Sequence, residues 1–137
     1  PPLKGESPMF YTFSQNNSGG SFEVTDSVAE YVVVEANDLT HAIERALAIG
    51  IYFDGVNAGL DCECCGDRWS EPYRDNGTPT PEFGIWVLDG GHVRAAYDSA
   101  FSPWTDPVAI IHFLKGAVVH VSAAAAKKAQ QKPINKL

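Results

Sequence analysis

The chain has 137 residues, 45% of them apolar, with three Trp, seven Phe and a net charge of −7. That is enough apolar material for one self-sufficient core, and three cysteines, an odd number with two adjacent, exclude a disulfide framework. Basic residues gather near the C-terminus rather than among the aromatics, so the main domain lacks an electrostatic footprint for nucleic acid and none is expected as a partner.

Residues 1–8 carry prolines at positions 1, 2 and 8 and read as an arm or a remnant of cloning or processing ahead of Met9. The domain is placed over 9–100, with a C-terminal helix and basic tail over 101–137. Residues 10–13 (Phe-Tyr-Thr-Phe) are a short aromatic strand, 14–20 a polar loop with Asn16 and Asn17, and 21–24 (Ser-Phe-Glu-Val) a returning strand, which together predict a hairpin.

Residues 31–36 (Tyr-Val-Val-Val-Glu-Ala) are the strongest strand. Asn37 or Asp38 then caps a helix in which Leu39, Ile43, Ala46 and Leu47 recur at helical spacing, and Gly50 ends it. His41, Glu44, Arg45 and Ala48 take the opposite face, where His41 reads first as a solvated or locally paired side chain. Residues 51–53 resume as a short extended segment. The glycine-rich stretch 54–61 has oxygen-bearing side chains but neither the alternation nor the terminal glutamate of a calcium loop, so it is read as a turn that presents the cysteines.

The cysteine block itself runs Asp61, Cys62, Glu63, Cys64, Cys65, Gly66, Asp67, Arg68 and Trp69. Cys62-x-x-Cys65-Gly66 is half of a zinc knuckle: a glycine after the second cysteine lets the turn close with backbone N–H groups aimed at sulfur. The chain has no second Cys pair, so the remaining ligands of a tetrahedral zinc would be Cys64 or His41, with His92 or Asp67 as weaker choices. Free thiols are the plainer reading, a zinc cofactor the sharper one and a redox pair a third. Arg68 either pairs with Asp67 or stacks on Trp69. Trp69, Trp86 and Trp104 are expected as core anchors. Asn16, Asn17, Asp61, Asp67, Arg68 and Trp69 form the candidate binding set.

Residues 70–82 are a proline-bearing polar loop. Residues 83–88 and 92–97, joined by Asp-Gly-Gly, predict a second hairpin, because such a turn needs positive φ angles. From Asp106 as N-cap and Pro107 at N1, the apolar positions Ile110, Ile111, Phe113, Leu114, Ala117, Val118 and Val121 predict a helix of some six turns. Two strands meeting at Lys115-Gly116 are the alternative. Residues 108–126 approach the length of a membrane span, but Lys115 near the middle costs about 3 kcal/mol and His112 and His120 add to it, so no membrane partner is expected. The helix must bury its broad apolar surface on the sheet or on another chain. The sparse tail lysines, from Lys127 to Lys136, read as a solvated helix end.

The opening block from Met9 to Phe22, Val34-Glu-Ala36 before an Ala-bearing helix, and residues 51–55 (Ile-Tyr-Phe-Asp-Gly) leading into the cysteine block together resemble a family of small proteins encoded by tailed bacteriophages. The resemblance covers roughly residues 9–98. It implies a phage origin and a common α+β domain, and it carries no activity.

The expected fold is α+β, a small, mostly antiparallel sheet with one central helix and a longer C-terminal helix. No nucleophile, base and orienter stand at recognisable spacing, and no phosphate-cradling loop precedes a helix. The expected function is therefore an accessory binding protein that engages a host factor or a small ligand in the host cytoplasm. A virion component, decorating capsid or tail and self-assembling through the C-terminal helix, is the alternative. A zinc- or thiol-dependent enzyme with Arg68 as activator and His41 or His92 as base is the third reading.

Overall fold

Runs of β-branched and aromatic residues, broken by glycine-bearing turns, dictate a mostly β molecule. The computed structural model describes residues 7–72, 77–95 and 105–122. The elements are β1 (Met9–Gln15), a 3-10 turn (Ser18–Gly20), β2 (Tyr31–Ala36), α1 (Leu39–Ala48), β3 (Trp69–Ser70), β4 (Glu82–Phe83), β5 (Trp86–Asp89), β6 (His92–Ala95), β7 (Ala109–His112) and β8 (Val118–Val121). They build a five-stranded sheet in the order β3-β1-β2-β7-β8 and a three-stranded sheet in the order β4-β5-β6. Among these strands only the β2–β7 pair is parallel.

The two-residue period of a strand divides the large sheet into two apolar faces. Tyr11, Phe13, Val32, Val34 and Ala36 point to one side, where they pack with Ala42 and Ala46 of α1 and with Ile51. Phe10, Val33, Ala109, Ile111 and Val121 point to the other side, against Phe83 and Trp86 of the small sheet. The result is three layers: helix, five-stranded sheet, three-stranded sheet. Strand β2 lies in the middle with Val32, Val33 and Val34 all buried, so its sequence is an unbroken apolar run.

The helix forms where the sequence places it. The Asp38 side chain accepts a hydrogen bond from the His41 N–H at 2.8 Å, and Gly50 lies beyond the last turn with φ of 107°. Ala42 and Ala46 are its buried residues, whereas Leu47, expected on the apolar face, is exposed. Arg45, expected on the solvent face, instead donates to the Glu35 carbonyl and, at 3.2 Å, to the Phe113 carbonyl. The turn of the second hairpin also stands as read, with Asp89 opposite His92 across Gly90 and Gly91, both at positive φ, but the strand expected over 83–88 is broken at Gly84 (φ 58°), where Phe83 of β4 turns back to pair with Trp86 of β5.

Two expectations are corrected. Residues 21–24 form no strand; the partner of β1 is β2, and Gln15 ties the intervening loop down, its Nε2 donating to the Glu23 carbonyl at 2.8 Å and to the Ala29 carbonyl. The long C-terminal helix does not exist over the described residues: of its apolar positions, Ile110 and Ile111 lie in β7, Val118 and Val121 in β8, and Phe113, Leu114 and Ala117 in the turn between them, where Gly116 (φ 106°) stands at the alternative meeting point. With it goes the apolar helix face expected for self-assembly, since Ile110 and Ile111 are buried within β7. Thus the fold is not a small sheet with two helices but two sheets with one α-helix among the described residues. No helix there is long and apolar enough to cross a membrane. The arm at 1–6, Trp104 and the tail lysines lie outside the described residues.

His112 gives this fold a titratable core contact. Its Nε2 donates to the Ser27 carbonyl at 2.8 Å, tying β7 to the loop before β2. Burial holds its pKa below the usual 6.5, and Arg45 and His120 add to that against the opposing pull of the Ser27 hydrogen bond. As pH falls through 6.5 the unfolded chain therefore takes up its proton here before the folded chain does. Wild type should lose stability relative to His112→Gln as pH falls from about 7.5 to about 5, read from paired urea midpoints. A constant difference between the two proteins would assign no acid sensitivity to this histidine.

Candidate functional site

The three cysteines sit on a turn at one end of the large sheet, between α1 and β3. Cys65 N–H and Gly66 N–H both donate to the Cys62 carbonyl, at 3.2 and 3.0 Å, and Gly66 has φ of 84°, a conformation that favours glycine. Cys62, Cys64 and Cys65 form no disulfide, and all three are exposed. Their sulfurs are 2.8 Å apart for Cys62 and Cys64, 3.8 Å for Cys64 and Cys65, and all lie within 4.8 Å of one another. Two thiolates on one tetrahedral zinc, with bonds of about 2.3 Å, stand about 3.8 Å apart. This triad could hold a metal ion with small side-chain shifts.

The sulfurs are electronically unequal. Cys62 is lowered to about 7, first by the Cys64 thiol that hydrogen-bonds to it and then by the backbone N–H groups of Cys64 and Cys65. Cys64 is pushed up to about 11 by the same thiol contact seen from the donor side and by its contact with Cys65. N–H groups directed at the first sulfur are the device that steadies thiolate ligands in a knuckle. The exposed acidic residues Asp54, Glu63, Asp67 and Glu71 flank the turn along the chain, which favours a cation there.

Most of the candidate binding residues hold this turn in place. Asp61 accepts from the Tyr52 hydroxyl at 2.6 Å and from the Arg68 N–H at 2.8 Å, with Arg68 Nε 3.9 Å away. The carboxylate that Arg68 faces is thus Asp61 rather than the adjacent Asp67, and its Nη1 donates to Gln15 Oε1 at 3.0 Å and to the Ser21 carbonyl at 2.9 Å. Asn16 Nδ2 donates to the carbonyls of Cys65 and Asp67, at 3.4 and 2.5 Å. Asp67 accepts from the Val56 N–H at 2.9 Å. Trp69 is a buried core residue in β3, and Trp86 is buried in β5. Asn17 stands beside the 3-10 turn, exposed, and makes no capping bond.

The candidate histidines are elsewhere. His41 lies in the first turn of α1 with its Nδ1 accepting from the Asn37 N–H at 3.1 Å, a local pairing, and it is not among the residues grouped with the sulfurs. His92 is exposed at the tip of the β5–β6 hairpin. Sequence reasoning missed Gln15, Tyr52 and Gly55. A Cβ on Gly55 would overlap the Asp61 carboxylate and lie 2.8 Å from Tyr52 Cε1, so this glycine leaves the room in which the brace is packed. Its only trace in the sequence is a glycine among glycines.

Fold and site together define a three-layer, mostly β protein bearing an exposed turn of three close thiols that could hold a metal ion. Over residues 8–131 the chain matches the family model described as domain of unknown function DUF7296, and it belongs to that family. The match runs from before β1 to beyond β8 and so takes in both sheets and the turn. No curated protein and no solved structure matches the chain.

Proposed function

We propose that the protein is a phage-encoded accessory binding module of the host cytoplasm, and that its recognition end is the cysteine turn, loaded with zinc through Cys62, Cys64 and Cys65. The observation that carries this reading is the convergence of three exposed sulfurs within 4.8 Å on a turn cross-braced to the sheet. Zinc is the ion because thiolates are soft donors and no redox chemistry is asked of the site. The metal steadies the turn, and Asn17 on the neighbouring loop adds an exposed polar group to the same end. A host protein that meets this surface is the expected partner.

Native mass spectrometry of protein prepared without chelator should give one zinc per chain, and the Cys62→Ser/Cys65→Ser variant should lose it while keeping its far-ultraviolet spectrum. An unliganded monomer with three titratable thiols would end the zinc reading. Of host proteins retained on the zinc-loaded chain, the one that matters should be released by that variant.

A virion component is supported by a different feature. Among the described strands β8 is an edge of the large sheet, and its Val118 and Val119 are 48% and 37% exposed. Exposed apolar edges are templates for pairing with another chain. Detection of the protein in purified particles would favour this role; its confinement to infected-cell cytosol would favour the first.

A further inference from the structure

We infer that the three-cysteine turn is an incomplete tetrahedron, and that the fourth zinc ligand is an imidazole or thiolate supplied by the partner. The inference rests on the zinc reading above and names the chemistry by which the module would recognise its target.

The chain has three cysteines and four histidines, and all seven are described residues. The cysteines are all in the triad, and each histidine is placed away from it. His41 accepts from the Asn37 N–H, His112 is buried against the Ser27 carbonyl, His120 Nε2 lies 3.0 Å from the Asp26 carbonyl, and His92 stands at the tip of the small sheet. The carboxylates nearest in sequence are occupied or displaced. Asp61 is held by Tyr52 and Arg68, Asp67 is held by Val56, and Glu63 is not within the 4.8 Å group although it lies between two of its members. Among the described residues the donor set is therefore three sulfurs.

Zinc takes four ligands, and three thiolates leave one vertex. Because all three cysteines are exposed, that vertex is open to an approaching molecule. Its chemistry is also constrained. Three thiolates and a dication sum to one negative charge, which weakens the pull on a bound water and makes the centre a poor generator of hydroxide. A soft or borderline donor, thiolate or imidazole, displaces water from such a centre more readily than a carboxylate does. The site is then suited to coordinate a partner's Cys or His side chain reversibly, adding one strong directional bond to an otherwise ordinary protein contact.

Cobalt(II) substitution separates the metal site from its open vertex. The reduced chain should bind one cobalt with thiolate-to-metal charge-transfer absorption and visible ligand-field bands. Added imidazole should shift the ligand-field bands saturably with the charge-transfer intensity kept. Added glutathione should raise that intensity by about a third, as a fourth thiolate joins three. No charge-transfer band at all would overturn the zinc reading. A charge-transfer band with ligand-field bands indifferent to both additives would leave the metal site standing and overturn the inference, because the chain would then fill its own fourth position. His41→Ala closes the remaining route: if it alone alters the ligand-field spectrum of the cobalt protein, the fourth ligand is internal and the inference falls.

Discussion

Asp61→Ala will lower the unfolding free energy by about 3–5 kcal/mol, the range for breaking a buried ionic and hydrogen-bonded pair. The Asp61 side chain is 1% exposed and Arg68 15%, so neither partner can turn to bulk water when the other is lost. Removing the carboxylate takes the acceptor away from the Tyr52 hydroxyl and from the Arg68 N–H together, and each lost bond adds its own cost. The Tyr52 phenol already sits above its ordinary 10.0, first through burial and then through its bond to Asp61, which marks it as the donor in that contact. The damage should also reach the metal. Asp61 immediately precedes Cys62, so the variant should bind zinc more weakly by about tenfold or more, the scale on which outer-shell supports act. Gly55→Ala tests the same brace from the other side, since its Cβ would overlap the Asp61 carboxylate. It should reproduce both losses without removing a polar group. Urea midpoints and competition against a zinc chelator give the two readouts, and a loss under about 0.5 kcal/mol in both variants would show that the brace carries little of the stability.

The parts of this molecule that could be read from its sequence are those decided within a few residues. Residues 31–50 are the best case: a valine run, Asp38 as cap and Gly50 as stop each act locally, and strand and helix stand where these signals put them. The turn at Gly90 and Gly91 is another. What failed was pairing across distance. Residues 21–24 alternate like a strand, yet β1 passes them over for β2, whose valines offer both faces to a core. The C-terminal strands failed for a related reason. Every residue of β7 is buried, so its apolar positions are consecutive rather than alternate, and a consecutive run continued through Phe113 and Val118 imitates a helical stripe. The β-branched content and Gly116 were the contrary signs. At the site, cysteine spacing identified the triad, because a knuckle is local. Gln15 and Tyr52 were invisible, because Arg68 reaches the first across 53 positions and Asp61 is held by the second only once the turn has closed.

Trp86→Ala should cost about as much as losing Asp61, about 3–5 kcal/mol for truncating a fully buried aromatic, but the damage falls on the other face. Trp86 is fully buried in the cluster that joins Phe83 of the small sheet to Phe10, Val33, Ala109 and Ile111 of the large one. A three-stranded meander is close to the minimum that is stable at all, and this one depends on its contact with the larger sheet. Thr12 assists by donating its hydroxyl to the Glu82 carbonyl, though one hydrogen bond of about 1 kcal/mol cannot replace an indole. If both sheets form one cooperative core, urea unfolding of the variant will remain a single transition with an unchanged slope and a lower midpoint. If the small sheet is a separately melting unit, the slope will fall, because the transition of the remaining core no longer includes the surface of β4, β5 and β6. Leu47→Ala, an exposed change on α1, should move the midpoint by no more than about 0.5 kcal/mol and serves as the measure of a substitution that touches no core. The first outcome is expected, because Val33 is paired between β1 and β7 in the centre of the large sheet while its side chain belongs to the cluster shared with Trp86. The small sheet thus covers the strand on which the whole fold is built.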